Sequence, residues 1–208
     1  MKIRQHRTMR GAPTWEDWLK SSRICGDSLR FFERHDLIKR VDEHQARDNV
    51  IGHLKKAFHN LSLANQIFDG NQQGQLDVKY SRESFHDWVI TVSYYAMYQA
   101  CLAALAAVRK DGENHSATVC ALIYHYVHRQ RRLGEHYLVR LDTIKTLANQ
   151  DVQKLVEKRF AREKASYDIG VATEIGLAQT ALSDAREFVL KVREILEDAL
   201  GTEFLKDV

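Results

Sequence analysis

The sequence predicts an all-α fold, an antiparallel up-and-down bundle of long helices. Pro13 is the only proline among 208 residues, and helix interiors exclude proline whereas the turns of β-rich folds favour it. Apolar residues recur at three- and four-residue steps over long stretches, and short polar connections between such stretches favour antiparallel neighbours. Hydrophobic residues make up 44% of the chain and charged residues 28%, so the composition is that of a globular protein.

The individual helices are predicted from capping residues and apolar stripes. Thr14 and Asp17 predict the cap of a first helix that runs to about Arg34. Glycine-rich and polar stretches predict loops, and Gly112 is available for a left-handed turn. The further helices are predicted over about 41–68, 81–109, 115–133, 137–160 (interrupted at 149–151) and 172–200, with loops at 70–74 and 110–114.

Charge separates a basic N-terminal extension from the bundle. Residues 1–40 hold ten Lys and Arg against five Asp and Glu, and we assign residues 41–208 to the bundle domain. The net charge of +3 decides little about partners. The three cysteines lie far apart and the basic N-terminus is not followed by an apolar run, which favours reduced, buried thiols in a cytoplasmic protein.

One uncharged stretch, Trp88 to Val108, is long enough to cross a bilayer. It carries three tyrosines and six alanines, and such a helix suits the centre of a bundle. We therefore predict no membrane contact.

His125 and His128 lie three positions apart, with His136 further on, which is a weak metal-site pattern. A paired carboxylate on a facing helix is missing from the pattern, so packing or surface histidines are the more frequent case. We predict no metal and no other cofactor.

Several segments resemble the HEPN family, the nucleotide-binding domain of higher eukaryotes and prokaryotes. The tyrosine pair with its following alanine-leucine run is typical of the central helix of that family, and the His-Ser pair is typical of the start of the next helix. Together the segments cover about Val41 to Leu200. They are Ser93 to Leu105, Asn114 to Thr118, Arg162 to Tyr167, and the closing helix with Ala185, Phe188 and Val189.

The resemblance implies a metal-independent ribonuclease, because many HEPN proteins cleave RNA with an arginine followed after four to six residues by a histidine. Arg109 and His115 occupy the place of that motif. Other arginine-histidine pairs of this chain have the same spacing, so position within the resemblance selects this pair. The family joins two such motifs at a homodimer interface, and our hypothesis is that this chain is the toxin of a two-gene defence module.

The chemistry of the pair suits RNA cleavage. A histidine can accept the proton of the ribose 2′-hydroxyl, and a guanidinium can stabilise the charge on phosphorus. Lys110 and Asn114 would assist, with Ser116 beside them. Lys110 departs from the family, where a polar Asn, Asp or His often follows the arginine, and a lysine cannot accept a hydrogen bond to orient the guanidinium.

The basic cluster Arg129, Arg131, Arg132 and Arg140 could extend the phosphate contacts of such a site, although a solvated helix face is the more frequent role of a cluster like this.

Two other interpretations stay open. The resemblance also covers non-catalytic branches, which bind a nucleotide or dock on a minimal nucleotidyltransferase without cutting RNA. Alternatively, His115 only begins a helix and Arg109 only supplies a positive charge at a helix C-terminus. The sequence therefore predicts RNA or a nucleotide as ligand and a homodimer as the assembled state, with a nucleotidyltransferase as an alternative partner.

Overall fold

The structure, a computed structural model, describes residues 12–73, 85–161, 171–206 and 208. Within these residues the chain is mostly helical, which confirms the all-α prediction. The seven α-helices are α1 (Trp15–Lys20), α2 (Ser22–Arg34), α3 (Glu43–Gln72), α4 (His86–Ala107), α5 (His115–Leu122), α6 (Glu135–Ala161) and α7 (Val171–Leu200). A π-helical segment (Ile123–Arg129) continues α5, a short 3-10 turn (Thr202–Leu205) follows α7, and two strands, β1 (Ile38–Arg40) and β2 (Lys110–Gly112), form a small ribbon.

Side-chain caps explain where the first helices begin. Thr14 is the N-cap of α1, and it exchanges hydrogen bonds with Asp17 in a capping box, as predicted. The single first helix of the prediction is wrong, because Ser21 is extended and its side chain caps α2 instead. The predicted helix over 41–68 is confirmed; it is capped by Asp42 and ends four residues later than expected, at Gln72.

Helix α4 lies at the centre of the bundle and packs against α3, α6 and α7. Helices α3 and α4 are antiparallel. The N–H of Val41, before α3, donates to the carbonyl of Arg109, after α4, and the carbonyl of Val41 accepts from Nε of the Arg109 side chain. At the other end, the N–H of Phe85, before α4, donates to Asn71 Oδ1 near the end of α3. Helix α4 is long and apolar enough to cross a membrane, and 61% of its most apolar window is buried inside the protein.

The ribbon was not predicted. β1 and β2 pair antiparallel, with Lys39 opposite Asp111, and they tie the chain before α3 to the chain between α4 and α5. Gly112 lies in β2 and is not left-handed; Arg109 takes that conformation, with φ 59°. A Cβ at Gly112 would overlap the hydroxyl of Thr118, so this glycine is needed because the strand passes close to α5.

Three other expectations need correction. Gly70 lies inside α3 and is buried, so the predicted loop at 70–74 is wrong up to residue 72, and Gly74 is outside the described residues. Helix α6 is continuous through 149–151, where an interruption was predicted. The helix over 172–200 is confirmed. Residues 81–84 and the Arg162 to Tyr167 motif also lie outside the described residues.

The described part of the basic extension belongs to the same hydrophobic core as the bundle. Trp18, Cys25, Leu29 and Ile38 are buried and cluster with the residues of α3 to α7. This packing places α1 and α2 against α5 and the π-helical segment. The extension therefore forms one side of the region around the start of α5.

Candidate functional site: the cavity at the start of α5

Arg109 stops α4. It follows the C-cap residue Val108, and it has the left-handed conformation that glycine usually supplies at this position. Its side chain is exposed, and Nε donates a long hydrogen bond of 3.4 Å to the carbonyl of Val41, whose own N–H donates to the carbonyl of Arg109. Within the described residues the guanidinium has no carboxylate partner.

Lys110 and Asn114 have structural partners. The Lys110 ammonium lies 2.7 Å from a carboxylate oxygen of Glu33 in a partly buried ion pair between β2 and α2. Asn114 is the N-cap of α5, and its Oδ1 accepts a hydrogen bond of 2.9 Å from the N–H of Ala117. Both side chains therefore hold the connection between α4 and α5 in place.

His115 is the first residue of α5 and is partly buried against the tyrosines of α4. Its Nδ1 lies 2.9 Å from the hydroxyl of Tyr94, and its ring stacks on that of Tyr98 at 5.7 Å between centroids. Burial, assisted by the charge of Lys145, lowers the pKa of His115 to about 4. The imidazole is therefore neutral at pH 7.

A cavity of about 190 Å³ opens beside His115, between α1, α5 and α6. His115 and Ser116 line it from α5, Trp15 from α1, and Asp142 and Lys145 from α6. The remaining lining residues are Pro13, Thr14, Trp18, Val119, Leu138 and Leu141.

The polar groups of α6 in this cavity have not formed an ion pair. Asp142 and Lys145 are three positions apart on one helix, and neither makes a salt bridge within the described part of the chain. An unpaired ammonium beside a half-buried indole, at the amino end of a helix, can attract an anionic group attached to a planar ring. Trp15, Asp142 and Lys145 were missed by sequence reasoning, and only the polar pair within the apolar stripe of α6 could have signalled them.

The basic cluster is occupied elsewhere. The Arg129 guanidinium lies 5.7 Å from the ring centroid of Tyr124, and Arg132 forms an ion pair with Asp198. Arg140 pairs with carboxylates of α7, including Asp184 at 3.4 Å. None of these arginines is among the residues that line the cavity. Arg131 is exposed and, like Arg109, has a left-handed backbone.

The histidines of the π-helical segment do not form a metal site with each other. His128 Nε2 lies 2.7 Å from the carbonyl of Trp18, which ties this segment to α1. Burial lowers the pKa of His125, and its Nε2 has no hydrogen-bond partner in the described structure. Across the residues that the structure describes, no group of three metal-ligating side chains comes together.

The structure thus brings His115 and Ser116 to one cavity and leaves Arg109 and Lys110 outside it. The two residues of the predicted motif have different neighbours within one chain. Comparison with protein-family models, with curated proteins and with solved structures finds no match to this chain.

Proposed function

We propose that the chain is a HEPN-like binding module that holds a mononucleotide in the cavity beside His115 and does not cut RNA. The observation that carries the proposal is the meeting of an indole, a neutral imidazole and an unpaired ammonium (Trp15, His115 and Lys145) in one cavity of one chain. The base would stack on Trp15, and Lys145 with the first amides of α5 would face the phosphate.

The size of the cavity supports a small ligand. Pockets that enclose drug-sized ligands measure about 300–1,000 Å³, whereas this one measures about 190 Å³. A base would fill it, and the ribose and phosphate would lie at its mouth. The exposed side chain of Ser116 would be a hydrogen-bond partner there.

The state of His115 supports binding over cleavage. General acid-base catalysis is most effective when the pKa lies near the working pH. A histidine with a pKa of about 4 is a weak base and, at pH 7, is almost entirely in the neutral form, so it lacks the imidazolium proton that a general acid donates. Its stacked and hydrogen-bonded ring is better suited to shape a pocket wall.

The family resemblance adds two partners to the proposal. A minimal nucleotidyltransferase would be the enzyme that this module serves in the cytoplasm, and a homodimer would be the assembled state. Neither adds a residue to the cavity in a single chain.

Calorimetric titration with AMP tests the binding proposal. We expect saturable binding by the wild type and about tenfold weaker binding by Lys145→Ala, because a charge-assisted contact to phosphate is lost. Lys55→Ala is the matched control, since Lys55 is exposed on α3 and does not line the cavity. Equal affinities of the wild type and Lys145→Ala would contradict the proposal, as would an absence of binding by AMP, GMP and ATP.

Ribonuclease activity is the second candidate, and Arg109 is the observation that favours it. An arginine occupies a left-handed position that glycine adopts with less strain, and among the described residues its exposed guanidinium makes only a long hydrogen bond to a carbonyl. In a homodimer, a second copy could bring its Arg109 to the His115 of the first. Cleavage of a long RNA in EDTA, lost in both His115→Ala and Arg109→Ala, would establish this candidate and overturn the binding-only proposal.

A further inference from the structure

Two of the three cysteines meet in the core although they are 95 positions apart in the sequence. Cys25 lies in α2 and Cys120 in α5, and their sulfur atoms are 3.9 Å apart. Each thiol also contacts the backbone carbonyl of the other cysteine, at 3.4 Å and 3.5 Å. These reciprocal contacts bring the two backbones close together, as a disulfide requires.

Each cysteine is close in sequence to residues that line the cavity, although neither lines it. Cys25 is on α2, which follows the α1 wall with Trp15 and Trp18, and Cys120 is on α5, which carries His115, Ser116 and Val119 on the other wall. A covalent link between α2 and α5 would therefore fix both walls relative to each other.

We propose that Cys25 and Cys120 form a reversible intramolecular disulfide that locks α2 onto α5. The formation of the disulfide is inferred from the positions of the two cysteines alone, whereas its effect on ligand entry into the cavity rests on the proposed function. A disulfide bond of about 2.05 Å requires the sulfurs to approach by roughly 2 Å, which rotations of two side chains can share.

Formation of the disulfide needs a two-electron oxidant, and we propose a hydroperoxide for this role. One thiolate attacks the O–O bond and becomes a sulfenic acid, while the released hydroxide takes a proton and leaves as water. The second thiolate displaces the sulfenic hydroxyl as a second water, and the S–S bond forms. Two thiols thus lose two electrons and two protons to one hydrogen peroxide, which becomes two waters.

Burial makes the reaction conditional. Both thiols are fully buried, and the hydrogen bond with the Cys25 thiol, together with burial, raises the pKa of Cys120. The thiolate therefore forms only when α2 opens locally from α5. We expect the bond to form slowly in the resting protein and faster when the α1–α2 segment is loosened.

Thiol counting after hydrogen peroxide treatment tests bond formation. The wild type should lose two of its three thiols and yield a crosslinked peptide pair containing Cys25 and Cys120, identified by mass spectrometry after alkylation in denaturant. Cys101→Ala is the matched control, because Cys101 is equally buried but contacts neither of the others, and this variant should lose both of its thiols. Cys25→Ala and Cys120→Ala should each form no internal bond.

The same treatment in sub-denaturing urea ensures access to the thiols. Three intact thiols under this condition, a bond that includes Cys101, or bonds only between molecules would each overturn the proposal. The oxidised wild type should also melt about 5 °C or more above the reduced protein, since the bond closes a long loop of the unfolded chain.

The rate of ligand association tests whether the disulfide restrains the cavity walls. Stopped-flow mixing with AMP should show association several-fold slower for the oxidised protein than for the reduced one. Equal rates would overturn the lock while leaving the bond intact. A reduced protein that binds no AMP would contradict the proposed function, whereas a missing bond would contradict only this inference.

Discussion

The two ends of the segment from Arg109 to His115 have opposite surroundings. Arg109 is exposed, and its nearest polar partner is a backbone carbonyl of another segment. His115, at the start of α5, stacks on Tyr98 of α4, is hydrogen-bonded to Tyr94, and lines a cavity. Six positions along the chain separate a solvated cation from a desolvated, neutral base.

This difference shows what a spacing motif can specify. The distance along the sequence fixes how far apart two backbones can be, but the direction of each side chain is set by its own packing partners. Here the ribbon orients Arg109 towards Val41, and the tyrosines of α4 orient His115 towards the cavity. Catalysis by this pair needs a second copy, while binding in the cavity needs one chain.

Gly112→Ala should have the largest effect on stability. Gly112 lies between Arg109 and His115, so a side chain there should disturb the packing that places both residues. The new methyl group would overlap the Thr118 hydroxyl and lie 3.5 Å from Leu105 Cδ2. We expect the free energy of unfolding to fall by about 3 kcal/mol, as for an overpacked core, measured by urea denaturation.

Two variants check that this loss comes from the close approach. Gly52→Ala, at an exposed position of α3 where a methyl group meets nothing within 4 Å, should instead stabilise the protein by about 0.5–1 kcal/mol. Adding Thr118→Ala to Gly112→Ala should recover part of the loss. If Gly112→Ala, Gly52→Ala and the double variant all lower the free energy of unfolding by the same amount, the close approach of β2 to α5 is not the cause.

His115→Gln tests whether burial of His115 makes the stability of the protein depend on pH. The folded-state pKa is about 4 against an ordinary value of 6.5, so the unfolded state binds the proton more tightly. Stability is therefore complete above about pH 6.5 and falls as the pH drops towards 4. The variant should lose about 3 kcal/mol of this pH dependence, measured as the change in unfolding free energy between about pH 7 and pH 4.

Some pH dependence should survive in His115→Gln, because the pKa of His125 is lowered as well. His59→Gln is a control on an exposed histidine of α3 without an ion pair in the described structure, and its profile should follow the wild type. A His115→Gln profile that matches the wild type would mean that His115 is not desolvated in solution.

Arg109→Gly tests the exposed end and has the smallest expected effect. Glycine reaches the left-handed conformation without the strain of a side chain. The long bond to Val41 contributes little, so we expect a gain of about 1 kcal/mol in unfolding free energy, measured by thermal or urea denaturation. Arg109→Ala keeps the strain and should show no gain, and equal values for the two variants would contradict the backbone explanation.

Local signals in the sequence predicted much of the fold. The Thr14 cap, the apolar stripe of α7 and the long apolar stretch of α4 each express a rule that acts within a few turns of helix. The ribbon lies beyond such rules, because three-residue strands carry almost no periodicity and Lys39 meets Asp111 only through the tertiary fold.

The site was predicted less completely for the same reason. His115 and Ser116 are at the predicted helix start, but Trp15 and Lys145 reach the cavity from distant parts of the chain. The desolvation of His115 also depends on Tyr98 and Tyr94, which precede it by 17 and 21 positions in the sequence. No local pattern records such long-range burial, so the neutral imidazole could not be foreseen.

The shortness of α1 has a consequence for how a ligand would enter. Six residues are too few for a helix to persist alone in water, so this wall of the cavity is ordered by Trp18, whose ring is buried and whose carbonyl meets His128. Fraying of α1 then adds to the movement of α2 away from α5 during ligand entry, and the amides of α1 should exchange with deuterium before those of the helices that it contacts.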